Sequence, residues 1–171
     1  MKKLVVLIVL INVFFACSDD PKPKPKLSMA EMQEALFEAN INATKLESEQ
    51  IDAYLSKNKL TAIKTGTGLR YVVTQNGEGN SPKEESVVKI IYTVSLLNGA
   101  ECYSTEGKAE GLTVGKSYAE SGLQEALTYL KEGDKAIVII PSHLAHGLAG
   151  DLNKIPIRAT IIYKLELVEV K

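Results

Sequence analysis

From Val88 to Leu96 apolar and polar side chains alternate: Val88, Ile90, Tyr92, Val94 and Leu96 fall on one side, Lys89, Thr93 and Ser95 on the other. A period of two places one face of an extended strand on a core. Asn98-Gly99, just after it, is a hairpin-turn signal. "GLRYVVTQNGEG" (68–79) reads as a strand entering a glycine turn, and "DKAIVII" (134–140) and "ATIIYKLELVEV" (159–170) as two more. Between them "SGLQEALTYLKEG" (121–133) switches to helical spacing, with Leu123, Ala126, Leu127 and Leu130 facing inward. Ser121 and Gln124 suggest a capping box for it and Gly133 a C-cap. Strands around one short helix predict an α+β fold, an antiparallel sheet curled over that helix.

The first third of the chain follows other rules. "MKKLVVLIVLINVFFACSDD" opens with two lysines and an apolar run, Leu4 to Ala16, that falls short of the roughly 20 residues needed to span a bilayer. It reads as a secretory signal over residues 1–16. "FFAC" sets a small residue before Cys17 and resembles the lipobox of bacterial lipoproteins, which implies acylation of Cys17 and membrane attachment there; Phe14 departs from the leucine commonest in that box. Residues 17–27, where prolines alternate with lysines, form an extended tether. Residues 28–62 are a helical leader. It opens on a Ser28/Glu31 capping box, with Met29, Met32, Leu36, Ala39 and Ala43 at three-to-four spacing and Ile51, Tyr54 and Leu55 resuming the pattern after a polar stretch. The spacing predicts two helical pieces or one long bent helix. Either it packs on the domain that follows (63–171), or it offers a surface for a partner or for a dimer.

At 171 residues, 45% hydrophobic and 24% charged, the chain suits one globular domain with extra sequence. Its net charge of −1 becomes −3 once residues 1–16 are removed, since two lysines leave with them. No basic face is concentrated anywhere, so nucleic acid is not expected as a partner. With Cys17 acylated only Cys102 is left, so no internal disulfide is expected. His143 and His146, with Asp151 nearby, raise the question of a metal site. A third and fourth ligand at defined spacing are missing, so no metal is expected.

Over residues 66–171 the order of motifs resembles the FKBP-type peptidyl-prolyl isomerases: "VVKIIYTVSLLNG", "ESGLQEALTYLKEGDKA" and "PSHLAHGLAG…IPIRATIIYKLELVEV". The lipobox and helical leader resemble the gliding-motility-associated FKBP-type lipoproteins in particular. The resemblance implies an apolar proline pocket in which Tyr92 and Tyr163 are walls and Ile155 is the loop isoleucine. Glu120 stands where a backbone N–H binds the ligand carbonyl. It also exposes departures. Cys102-Tyr103 stands where the family has phenylalanine-aspartate, Leu123 where it has the pocket-floor tryptophan, Ala119 for a wall valine, Glu110 for a wall phenylalanine, and His146 for the loop tyrosine. The aspartate's carboxylate is expected to be lost, with the Tyr103 phenol in its place.

Tyr92, Tyr103, His146 and Tyr163 are thus the expected catalytic groups, and Cys102, Ala119, Glu120, Leu123 and Ile155 the expected substrate contacts. No cofactor is implied. The expected function is a membrane-tethered prolyl isomerase acting on proline-containing polypeptides in the envelope of a gram-negative bacterium, as an outer-membrane lipoprotein facing the periplasm or the surface. Two alternatives stay open: a binding module or chaperone of the same fold with reduced catalysis, and a structural component of an envelope complex such as motility machinery.

Overall fold

A computed structural model describes residues 28–171; the signal segment, the tether and Cys17 lie outside the described residues. The chain divides into two compact units, one ending at Glu38 and one running from Ala39 to Lys171. In the first, the Ser28/Glu31 capping box forms as expected. Ser28 N–H and Oγ each donate to Glu31 Oε2 at 2.8 Å, and Glu31 N–H donates to Ser28 Oγ at 3.3 Å. The box opens helix α1, Met29–Lys57. α1 is one continuous helix rather than two pieces, with no proline or glycine within it to break the ladder. Met29, Met32 and Leu36 remain exposed, so their spacing marks no buried stripe. Full burial is reached only at Ile51, which packs on Ile139 and Ile162 with Tyr54 and Leu55 beside it.

The second unit carries a seven-stranded antiparallel sheet. Its strands are β1 (Ile63–Lys64), β2 (Arg70–Gln75), β3 (Val87–Leu96), β4 (Glu101–Ser104), β5 (Glu110–Thr113), β6 (Lys135–Ile140) and β7 (Ile161–Val170). They run in the order β1-β2-β6-β7-β3-β4, with β5 paired to the start of β3. The register aligns Tyr103, Val94, Tyr163 and Val138 in one row across β4, β3, β7 and β6, and Tyr92, Leu165 and Ala136 in the next usable row. Both rows share the face that packs with helix α2 (Ser121–Leu127) in the main core. Gly122 permits that approach, since a Cβ there would sit 2.3 Å from Ile140 Cγ2.

Two expectations about α2 are corrected. Glu120 is the N-cap and makes no side-chain capping bond. Ser121 Oγ instead donates to the Leu144 carbonyl at 3.2 Å, while Gln124 braces the 115–117 turn by accepting from Gly115 N–H and donating to the Ser117 carbonyl. The helix stops at Leu127, so Gly133 is not its C-cap; Gly133 serves the turn into β6, at φ +90°.

Residues 141–160 connect β6 to β7 as a long loop with one short 3-10 turn, Ser142–Leu144. Glu47 of α1 fastens both of its ends. Its carboxylate accepts from Ser142 N–H at 2.6 Å, Ser142 Oγ at 3.0 Å and Thr160 Oγ1 at 2.6 Å. Nearby, Arg158 donates to Asn40 Oδ1 at 2.8 Å. The buried Arg70 ties β2 to the same helix through Ser48 and Asp52.

Candidate functional site

Between the tyrosine row of the sheet, the start of α2 and the long loop lies a cavity of about 530 Å³, within the size range of small-ligand sites. Ile90, Val94 and Leu123 form its apolar base, and Tyr92, Tyr103, Tyr163 and Ala119 line it as well. The Tyr92 and Tyr163 rings sit 5.3 Å apart, tilted by 53°, a spacing at which aromatic pairs attract. Glu120 and His146 also face the cavity. Seven of the nine residues expected at the site are therefore brought together. Cys102 and Ile155 sit behind this lining. At 2% and 3% exposure they belong to the core and lie outside the lining. The Cys102 thiol turns inward, donating to the Lys154 carbonyl at 3.7 Å, and burial pushes its pKa up.

The polar groups are arranged as phenol–carboxylate pairs. Tyr163 OH donates to Glu120 Oε2 at 3.0 Å and Tyr92 OH to Glu110 Oε2 at 3.1 Å. Tyr103 OH donates to Asp151, which also accepts from the N–H groups of Asn153 and Ile155 at 2.9 and 2.7 Å. The Tyr103 phenol, expected in place of the family's aspartate, thus meets a different carboxylate, which Asp151 supplies from the loop. Gly150 makes that loop path feasible, with φ +67° and no room for a Cβ, which would fall 2.3 Å from the Ile155 carbonyl.

Burial, and then the neighbouring Glu110, push the Tyr92 hydroxyl up to about 12. Burial and Glu120 push Tyr163 higher still. Desolvation alone would raise the Asp151 carboxyl, but the bonds from Tyr103, Ile155 and Asn153 and the nearby His146 outweigh it and hold it at about 2. At neutral pH each of the three phenols therefore keeps its proton and donates it to its partner acid, which fixes the rings in place.

The two histidines have separate partners. His146 Nε2 lies 3.0 Å from Glu120 Oε1, while His143, on the exposed part of the loop, donates from Nε2 to the Thr67 carbonyl at 3.0 Å. Among the described residues no group of three or more His, Cys, Asp or Glu side chains is arranged to hold a metal ion.

Patterning did not single out the carboxylates. Glu120 was expected to contribute only its main chain, whose N–H has no acceptor among the described residues; its side chain in addition joins His146 to Tyr163. Glu110, an acid where an aromatic wall is implied, is the signal the sequence offers for such a pairing, while Asp151 stands out there only beside the two histidines.

Residues 78–168 match the family described as FKBP-type peptidyl-prolyl cis-trans isomerase. The chain is 30% identical over 184 aligned positions to the FKBP-type peptidyl-prolyl cis-trans isomerase FkpA of Buchnera aphidicola subsp. Schizaphis graminum, covering 99% of this chain and 73% of that one. It is 33% identical over 161 positions to FkpA of Escherichia coli K12, covering 86% of this chain and 59% of that relative, so it spans less than two thirds of the latter's length. The crystal structure of FkpA from Escherichia coli superposes with a TM-score of 0.65 at 29% identity, over 86% of this chain and 75% of that one.

Proposed function

The chain belongs to the family of FKBP-type peptidyl-prolyl cis-trans isomerases, and on that premise we propose that the cavity over α2 rotates Xaa–Pro bonds in polypeptide clients. The observation that carries this reading is the cavity itself: an apolar base under three tyrosines, beside a Glu120 main-chain N–H with no acceptor among the described residues.

Rotation about an Xaa–Pro bond must overcome the resonance of the amide, a barrier of roughly 18–20 kcal/mol. The reaction needs no nucleophile and no proton transfer. In the twisted transition state conjugation is lost, and the carbonyl oxygen carries less charge than in the planar ground state. An apolar pocket therefore disfavours the planar amide relative to the twisted one. Ile90, Val94 and Leu123 supply that surface, and the paired rings of Tyr92 and Tyr163 form one wall against which the proline ring would lie. The Glu120 N–H would anchor the carbonyl on the far side of the proline, leaving the reacting bond free to turn. The Tyr103–Asp151 pair stiffens the loop that closes the cavity.

The sequence supports a finer reading in which Cys17 is acylated and the tether of residues 17–27 holds the isomerase off an outer membrane. The exposed Met29, Met32, Leu36 and Phe37 of α1 support pairing of two copies through the leader. A second reading, a binding module with weak turnover, is favoured by one observation: Glu110 and Leu123 stand where the family has aromatic side chains. A protease-free isomerisation assay on residues 18–171 separates the two. Turnover of an Xaa–Pro peptide well above buffer supports the isomerase; peptide binding with the rate of buffer supports the module.

A further inference from the structure

We propose that the cavity prefers polypeptide segments with lysine or arginine next to the proline, and that Glu110 determines this preference; the inference rests on the cavity being an Xaa–Pro site. Three carboxylates line the cavity, Glu110, Glu120 and Asp151, and no lysine or arginine does. Lys154 stands over the Tyr103 ring at 5.2 Å, but its ammonium is bound to the Cys102 carbonyl at 2.7 Å. His146, the other group able to carry positive charge, is paired with Glu120.

The three acids are not equivalent. Both oxygens of Glu120 are taken, by His146 and Tyr163. Both oxygens of Asp151 are taken as well, by Tyr103 on one side and two loop N–H groups on the other. Glu110 differs: Oε2 accepts from Tyr92, while Oε1 has no donor among the described residues. Its position explains the difference. Glu110 begins β5 opposite Ile90, at the open end of the tyrosine wall, and is itself exposed.

A cationic side chain flanking a bound proline would meet a carboxylate oxygen with free lone pairs, fixed in orientation by a phenol. Charge-assisted pairs of this kind are the stronger hydrogen bonds. Tyr118, fully exposed at the same rim, offers a face for the methylene stem and a cation–π contact for the head group. The field felt inside points the same way, since the charges of Glu110 and Glu120 both help to raise Tyr92 and Tyr163.

The test uses three peptides that differ only in the residue before proline, which is Lys, Leu or Glu. Their kcat/KM is measured by exchange NMR with the wild type, Glu110→Gln and Glu110→Lys, at low and at high salt. Should the wild type turn over none of them, Kd for the same peptides replaces kcat/KM. The expected ratio of Lys to Glu peptide is about fivefold or more at low salt, the scale of one exposed pair gained against one repulsion relieved. It shrinks in high salt, falls toward unity in Glu110→Gln and inverts in Glu110→Lys. Turnover or binding of the Leu peptide with equal values for Lys and Glu would overturn this inference and leave the isomerase reading standing. So would a ratio that survives Glu110→Gln. Neither turnover nor binding of any peptide would overturn both.

Discussion

Replacing Glu47 with alanine tests how the leader helix supports the site. The Glu47 side chain lies on α1, yet it accepts from Ser142 N–H, Ser142 Oγ and Thr160 Oγ1, the two ends of the loop that carries His146 and Asp151. Ser142 and Thr160 are 8% and 5% exposed, so truncation strands three donors in a largely dry place. Hydrogen bonds to a charged group contribute roughly 1.5–3 kcal/mol each when partners are buried. They share one carboxylate and are not additive, and a half-exposed Glu47 leaves space for water. The sum expected for Glu47→Ala is about 2–4 kcal/mol. Glu47→Gln retains an acceptor and should lose about half as much. The assay is denaturant unfolding together with native-state hydrogen exchange at Gly147 and Arg158, whose N–H groups bond within the loop to Ser142 and Gly147. Faster exchange at both, with weaker proline-peptide binding, is expected in Glu47→Ala. A loss below about 0.5 kcal/mol with unchanged exchange would refute the idea that α1 fastens the loop.

Asp151, held at about 2 against about 3.9 in an unfolded chain, adds stability that is fully present above about pH 4 and is lost as pH falls toward 2. The stability gap between wild type and Asp151→Asn should therefore be constant at neutral pH and close only between about pH 4 and 2; closure near pH 6 would contradict the bonding described. Tyr92 keeps its proton up to about 12 while an unfolded tyrosine loses it near 10, so stability should fall as pH rises from about 10 to 12. Absorbance titration should show a late phenolate step that Tyr92→Phe removes, and complete ionisation of wild type by about pH 10.5 would refute the Tyr92–Glu110 pairing. Cys17→Ser should move the protein from the membrane fraction to the soluble fraction, because acyl chains contribute ~0.8 kcal/mol per buried methylene; a variant that stays membrane-bound would reject the tether.

Much of the fold is legible along the chain because its signals are local. The alternation of residues 88–96 marks β3 and its buried face, and Asn98-Gly99 marks the hairpin to β4, with Gly99 at φ +89°. Leu123, Ala126 and Leu127 announce the inward side of α2. Cap positions are less legible: Ser121 and Gln124 match a capping box, but the Leu144 carbonyl and the 115–117 turn offer them tertiary partners that no window of sequence contains. The site shows the same division. Tyr92 and Tyr163 follow from strand periodicity and family resemblance. The acids that position them come from β5, the start of α2 and the long loop, which have no common period. Asp151 meets Tyr103 across 48 residues of chain, and Glu47 meets Thr160 across 113. Such pairings depend on register between distant elements, so a solvated acid and a positioning acid look alike until the sheet has formed.

The central claim is that an isomerase site has been rebuilt around tyrosines oriented by carboxylates, with Tyr103 held by Asp151 and Tyr163 by Glu120. The most direct measurement is kcat/KM for an Xaa–Pro peptide, by exchange NMR, in the wild type, Tyr103→Ala, Glu120→Ala and the double variant, each first shown to be folded. Wild-type turnover clearly above buffer is expected, with a loss of about tenfold or more in each single variant. Wild-type activity that persists unchanged when both Tyr103 and Glu120 are truncated would contradict the account.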